Sequence, residues 1–234
     1  MEPPIFCVRP VHRFVSNLCL NVVQVAPFAF AKGGLRAASK ASETDECGSK
    51  AAAVMHKESL STKPKHVSQQ AYEDDLAGHR VATFLANEFN KVAAPRGIPR
   101  VAYVEASVCQ FLTRRGRPYF AQEGLVDGIW EKYNNNTGYI QPNPSLRGGV
   151  DHSAVQAFSH WTHHVTGAKM MVLDCQGSYD RSSNSFMLTD PAVQCTDVTR
   201  FDRTNMGGEG MRRFFSTHRC NDHCRALGIP AAGV

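Results

Sequence analysis

The 234 residues suffice for one large domain or two smaller lobes, each with its own core. The chain is 42% hydrophobic and 20% charged, as a globular protein is, and no apolar run approaches the ~20 residues that span a bilayer; no membrane partner is expected. The net charge of +5 is spread along the chain, and its densest basic cluster, "TRRGRP" (113–118), reads as a solvated turn, so no nucleic-acid partner is expected either.

Residues 9–31 imitate a secretory leader, but Asn17, Asn21 and Gln24 interrupt the apolar stretch and Pro27 breaks it, so a strand is expected there. Without a leader, the eight cysteines imply a cytoplasmic location and reduced thiols or metal ligands. "AKGGLR" (31–36) makes a glycine turn, residues 39–50 read as a polar loop, 51–59 as a short strand and 61–70 as a second loop. From Tyr72 to Val92 the period is helical, with Leu76, Val81, Phe84, Leu85 and Phe89 on the expected apolar face. "RVAYVEASVCQFLT" and "RPYFAQEGLV" then read as one hairpin around Arg115-Gly116.

Residues 152–165 read as a helix with Asp151 or Ser153 as N-cap. "AKMMVLDCQG" (168–177) is a buried strand, 178–185 a flexible serine-rich connection, and "FMLTDP" (186–191) a second apolar segment. Strands in the first half and helices in the second suggest two lobes.

Two constellations carry chemistry. In "VLDCQG", Asp174 and Gln176 are two apart at a strand end, where extended geometry points both to one side and suits a shared Mg²⁺; Asp190 ends "LTDP" in a similar position. Each aspartate alone also fits a surface turn. In "FFSTHRCNDHCRAL" (214–227), Cys220 and Cys224 would stack one turn apart on a single helix, with His218 at its start as a third ligand. These residues leave open a zinc site needing a fourth ligand, or two buried thiols beside a surface histidine.

"AFSHWTHHVTGAKMMVLDCQG", "LTDPAVQC" and "NMGGEGMRRFFSTHRCNDHCRALG" together resemble the C-terminal lobe of the alpha-kinases, a family of atypical protein kinases. The likeness extends through "WEKYNNNTGYI", "EDDLAGHRVATFLANEFN" and "PFAFAKGGLR", covering roughly residues 25–229. It implies an α+β two-lobed kinase fold with ATP between the lobes. An antiparallel-sheet N-lobe would run over about 25–123 and a zinc-stabilised C-lobe over about 124–229, flanked by an extension (1–24) and a tail (230–234).

The resemblance also implies residue roles. His160 of "AFSH" would complete a structural zinc site with His218, Cys220 and Cys224, leaving His163, His164 and His223 exposed. Gly33 and Gly34 match the family's phosphate loop, Arg36 its arginine, and Lys57 the strand lysine on the ATP phosphates, with His56 and Lys50 as competitors. Asp75 matches an aspartate of the nucleotide pocket, Glu123 the acidic residue of the segment joining the lobes, and Lys132 a lysine near the active site. Asp174 and Gln176 would hold Mg²⁺, and Asp190 would be the catalytic aspartate. Asp202 and Thr204 stand where the family has glycines, Ala192 where it commonly has glutamine, and the segment from Asp174 to Asp190 is lengthened. The implied activity is transfer of the γ-phosphate of MgATP to serine or threonine hydroxyls of a protein. The alternative is a catalytically weak, zinc-stabilised domain that binds nucleotide or a partner.

Overall fold

The first half of the chain forms strands that pair until the sheet closes on itself. The computed structural model describes residues 5–10, 21–44, 50–112, 116, 118–201 and 203–231. Its elements begin with β1 (Ile5–Pro10), β2 (Asn21–Val25), β3 (Ala31–Lys32), β4 (Arg36–Thr44), β5 (Lys50–Ser59) and the long helix α1 (Gln69–Ala93). Next come β6 (Arg100–Tyr103), β7 (Ala106–Phe111), β8 (Tyr119–Gly124), β9 (Glu131–Lys132) and α2 (Ser153–Val165). The chain ends with β10 (Met170–Leu173), β11 (Gln176–Asp180), β12 (Ser185–Thr189), β13 (Ala192–Cys195), α3 (Gly208–Thr217) and α4 (Asp222–Ala226). The fold class is α+β, in two compact units: Met1–Leu76 with Glu105–Leu125, and Ala77–Val104 with Val126–Val234. The second unit therefore includes Ala77–Val104, a stretch the resemblance assigns to the N-lobe.

In the first unit the strand order is β2-β1-β7-β8-β5-β4-β3, and an extra β2–β4 pairing closes a ring of antiparallel strands. Closure removes the exposed edge that would invite aggregation. Val23, Val25, Ala41, Val54, Cys109, Phe111 and Phe120 fill the ring. On its outside the start of α1 packs Tyr72 and Leu76 against Val108 and Ala121, and the Tyr72 hydroxyl accepts the Ser59 N–H at 3.0 Å. Two expectations are corrected here. Ser39–Thr44 extend β4 and Lys50 opens β5, where a polar loop over 39–50 was expected; residues 45–49 lie outside the described set. Their polarity hid the strand because both β2 and β5 pair with β4 through backbone, which side-chain hydropathy does not report. Of the strand expected near the N-terminus, β2 occupies Asn21–Val25 and residues 11–20 lie outside the described set.

The second unit has a four-stranded sheet, β6-β12-β11-β9, and the pair β10-β13. Strand β6 runs parallel to β12, so only β7 and β8 form the expected hairpin. Residues 178–185 are no flexible connection; they complete β11, turn, and enter β12 antiparallel to it. Ala82, Leu85, Phe89, Val101, Tyr103, Phe158, Val172, Phe186 and Leu188 share the main core. Phe84 does not: it is 61% exposed, rotated off the Leu85–Phe89 face by the helical repeat. Helix α2 starts after His152, whose side chain makes no cap, while Asp151 Oδ1 accepts the Ser153 N–H at 2.8 Å. Among the described residues no helix is long and apolar enough to cross a membrane.

Candidate functional site

The histidine–cysteine cluster arises from a break rather than from one helix. Helix α3 ends at His218, its C-cap residue, and α4 begins only at Asp222. Cys220 therefore sits in the bend, and the expected one-turn stacking with Cys224 does not occur. Asn221 fixes the bend: its side chain accepts the Cys224 N–H at 3.1 Å and donates to the Ser153 carbonyl of α2 at 2.9 Å. His160 on α2 completes the group, and the four ligand atoms lie within 4.8 Å of one another. Cys220 Sγ is 3.6 Å from His160 Nδ1 and Cys224 Sγ is 3.7 Å from His218 Nε2. Bonds of 2.0–2.3 Å give a tetrahedron edges of roughly 3.6 Å, so the donor set fits zinc.

Burial, then the neighbouring His163 and His164, push His160 down to about 4; burial, then His160 and Arg219, do the same for His218. Both imidazoles are thus neutral, as metal ligands must be. Burial pushes the Cys224 thiol up to about 11, a direction that a bound dication reverses. His164 is exposed and His223 half-buried, while His163 is half-buried with its ring 4.9 Å from Phe215.

Asp174 and Gln176 meet differently from the extended arrangement. Between β10 in one sheet and β11 in another the chain turns a two-residue corner, and Asp174 takes φ 59°, a left-handed conformation that Asp tolerates better than most residues. Gln176 opens β11, paired with Thr189 on one side and Lys132 on the other. Lys132 Nζ lies 2.6 Å from Asp174 Oδ1, and Gln176 Nε2 donates to the Asp190 carbonyl at 3.3 Å. Asp190 repeats the backbone device at φ 48° between β12 and β13. Burial raises the Asp174 carboxyl above its ordinary range, Lys132 opposes this, and the Asp190 charge adds to it. Lys132, Asp174, Gln176 and Asp190 are thus gathered in one unit.

In the first unit Lys57 Nζ lies 2.7 Å from Glu123 Oε2, with both side chains buried. Glu123 stands within β8 itself, not in a segment beyond it. His56 faces the ring interior, 4.3 Å from Phe120 by ring centres and with Nε2 2.8 Å from Glu58; the Lys50 side chain lies outside the described set. Arg36 and Asp75 pair with one another, and the guanidinium lies 4.9 Å over the Tyr72 ring. Gly33 and Gly34 form an exposed turn closed by Gly33 N–H to the Arg36 carbonyl at 2.9 Å. A Cβ at Gly34 would meet nothing within 4 Å, so nothing in the chain's own packing requires glycine there.

The loop carrying the departures from the family pattern is held by Asn205, which the family pattern retains, and by Gln194, which sequence reasoning passed over. Gln194, fully buried in β13, donates to the Thr204 carbonyl at 3.0 Å and accepts the Met206 N–H at 2.7 Å. Asn205 accepts from the Cys195 and Gly207 amides, both at 2.9 Å. Gly207 has φ 60° and a Cβ there would crowd Val198, which accounts for its glycine. Thr204 serves this anchoring through its carbonyl, which tolerates a side chain; residue 202 lies outside the described set. The signal was available: an amide in the otherwise apolar strand "AVQC" needs buried partners.

A two-unit α+β fold with a closed four-ligand cluster and paired aspartates at strand corners defines a class of atypical kinase-like domains. Residues 31–224 match the profile of the alpha-kinase family, and the chain belongs to that family. Alpha-protein kinase vwkA of Dictyostelium discoideum is 31% identical over 224 residues, covering 95% of this chain and 34% of that protein. Eukaryotic elongation factor 2 kinase of Caenorhabditis elegans is 31% identical over 163 residues, covering 70% of this chain and 19% of that protein. The chain thus spans about a third or less of the length of these relatives. The alpha-kinase domain of myosin-II heavy chain kinase A in complex with AMP-PNP has the same fold, with a TM-score of 0.78 at 20% identity over 99% of this chain and 97% of that one.

Proposed function

We propose that the chain transfers the γ-phosphate of ATP to serine or threonine hydroxyls of a protein. The observation that carries this reading is the assembly of Lys132, Asp174, Gln176 and Asp190 at two left-handed strand corners. The Asp174 carboxylate and the Gln176 amide oxygen would hold Mg²⁺, which supplies charge neutralisation on the phosphates. Asp190 orients the attacking hydroxyl and accepts its proton; Lys132 tempers the charge of Asp174. In the other unit Lys57, steadied by Glu123, offers a point cation to the phosphates, and the turn at Gly33–Gly34 lets backbone amides approach them. Arg36 and Asp75 hold one another beside that turn and complete the nucleotide-contacting set. His160, His218, Cys220 and Cys224 would hold a structural zinc that ties α2 to the end of α3 and to α4.

A second reading, a nucleotide- or partner-binding domain with little turnover, draws on Asp202 and Thr204 in place of glycines. A labelled-ATP transfer assay on a generic basic protein, comparing the chain with Asp190→Asn, separates the two. Label transfer abolished by Asp190→Asn supports the kinase reading; nucleotide binding with no transfer by the unaltered chain supports the second.

A further inference from the structure

We propose that Asn134 is a positioning residue for Asp174 and Gln176, acting through the backbone of the residue between them. The proposal rests on the assignment of those two side chains to metal binding. Asp174 and Cys175 alone connect two different sheets, so what grips Cys175 sets the direction of both flanking side chains. Asn134 grips it from both ends. Its Oδ1 accepts the Cys175 N–H at 3.0 Å, while the Tyr133 and Asn134 amides donate to the Cys175 carbonyl at 2.9 and 3.4 Å.

The grip is itself braced. Asn134 Nδ2 donates to Gln156 Oε1 at 3.0 Å and to Ser159 Oγ at 3.1 Å, both on α2. Gln156 Nε2 in turn reaches the Tyr133 carbonyl and His152 Nδ1, each at 3.0 Å. The Cys175 thiol lies 3.6 Å from Ser159 Oγ and 3.9 Å from the Tyr103 hydroxyl. Asn134, Ser159 and Cys175 are fully buried and Gln156 is 5% exposed. The Asn134 amide thus uses both donors and its acceptor away from water, where a lost partner is costly. Only a side chain with one acceptor and two donors at this reach satisfies all three contacts, which excludes Asp, Ser and Leu.

Lys132, which pairs with Asp174, lies two residues before Asn134 on the same segment. One short run of chain therefore supplies both the charge partner of Asp174 and the clamp on its backbone. Asn134 reaches the metal ligands only through Cys175, so its loss should act on metal affinity and turnover together, and not on the nucleotide's own contacts.

The control is Asn90, whose side-chain amide holds both the carbonyl and the N–H of Val101, at 2.7 and 3.0 Å, on β6 and not at the Asp174–Cys175 corner. Asn134→Ala, Ser159→Ala and Asn90→Ala are compared for thermal midpoint, for Mn²⁺–ADP binding by electron paramagnetic resonance, and for kcat and half-saturating Mg²⁺. The expected result for Asn134→Ala is Mn²⁺ affinity and kcat each reduced about 10–100-fold, as for other residues that orient metal ligands. KM for ATP at saturating metal should stay near normal. Ser159→Ala should move the same quantities less, and remains informative where Asn134→Ala does not fold. Asn90→Ala should lower the thermal midpoint alone. Folded Asn134→Ala and Ser159→Ala with normal metal affinity overturn the proposal while leaving the kinase reading intact. An unaltered chain that binds Mn²⁺–ADP without transferring phosphate sinks the kinase reading, and the binding comparison still decides the role of Asn134. An unaltered chain that binds no Mn²⁺–ADP overturns both.

Discussion

Asp174 and Asp190 share a backbone solution and differ in surroundings, so their asparagine variants should fail differently. Asp174 is pressed by burial and by the Asp190 charge, with Lys132 as counterweight. Asp174→Asn should weaken Mg²⁺ binding, with activity partly restored by raised Mg²⁺ or by Mn²⁺. The same substitution should raise the thermal midpoint of the metal-free protein at neutral pH. Its folded carboxyl is raised above the unfolded value, so its contribution to stability is present at low pH and lost as pH rises through the folded value. Asn removes that loss, and a lowered midpoint would contradict the assigned shift. Asp190→Asn should leave ATP affinity near normal and cut kcat by about 10²–10⁴-fold, without rescue by metal. Gly34 offers a third test at this scale. Nothing crowds a Cβ there, so Gly34→Ala should leave the melting curve unchanged while raising KM for ATP several-fold. A normal KM would remove the turn from the phosphate contacts.

At the scale of elements, the break between α3 and α4 decides what the cluster can do. A continuous helix would bring only Cys220 and Cys224 onto one face; the bend at 218–221 turns His218 and Cys220 toward His160 as well. Natively purified protein should contain one zinc per chain, and His160→Ala or Cys220→Ser should abolish it and sharply lower the thermal midpoint. Elemental analysis without stoichiometric zinc would defeat this. In metal-free protein both histidines sit well below their ordinary value of 6.5, at about 4. Their contribution to stability is present above the unfolded value and drains away as pH falls from about 6.5 toward 4. An acid melt flat across that window would refute the assignment. Donor types and spacing made His218, Cys220 and Cys224 candidates beside an open thiol reading, and His160 came only from the family resemblance; the bend was not legible, because Asn221 reads as an ordinary helical residue until its contact with Ser153 is seen. Likewise α1 announced itself by period, and α2 was read with its N-cap candidates. The pairing of β6 with β12 did not, since a parallel partner far along the chain leaves no local mark and the neighbouring β7 offers a plausible hairpin instead.

At the scale of the molecule, the division into units falls inside α1, after Leu76, and chain order does not follow it. The same disorder hid the residue network around Asp174: Asn134, Gln156 and Cys175 lie in three separate motifs, the last two of which read as helix and strand. It also limits which pieces can fold. The core of the second unit draws Leu85, Phe89, Ile98, Val101 and Tyr103 from Ala77–Val104, and β6 from that stretch covers an edge of β12. At about 1.5–3 kcal/mol per large buried side chain, those five contribute roughly 8–15 kcal/mol, comparable to the whole stability of a domain. A fragment of residues 126–234 should therefore show no cooperative melting transition, even with zinc supplied. Adding residues 69–104 as a separate peptide should restore one, since that peptide carries the missing core face and the β6 edge. A cooperative melt from 126–234 alone would mean that its remaining core, built on Phe158, Val172, Phe186 and Leu188, suffices.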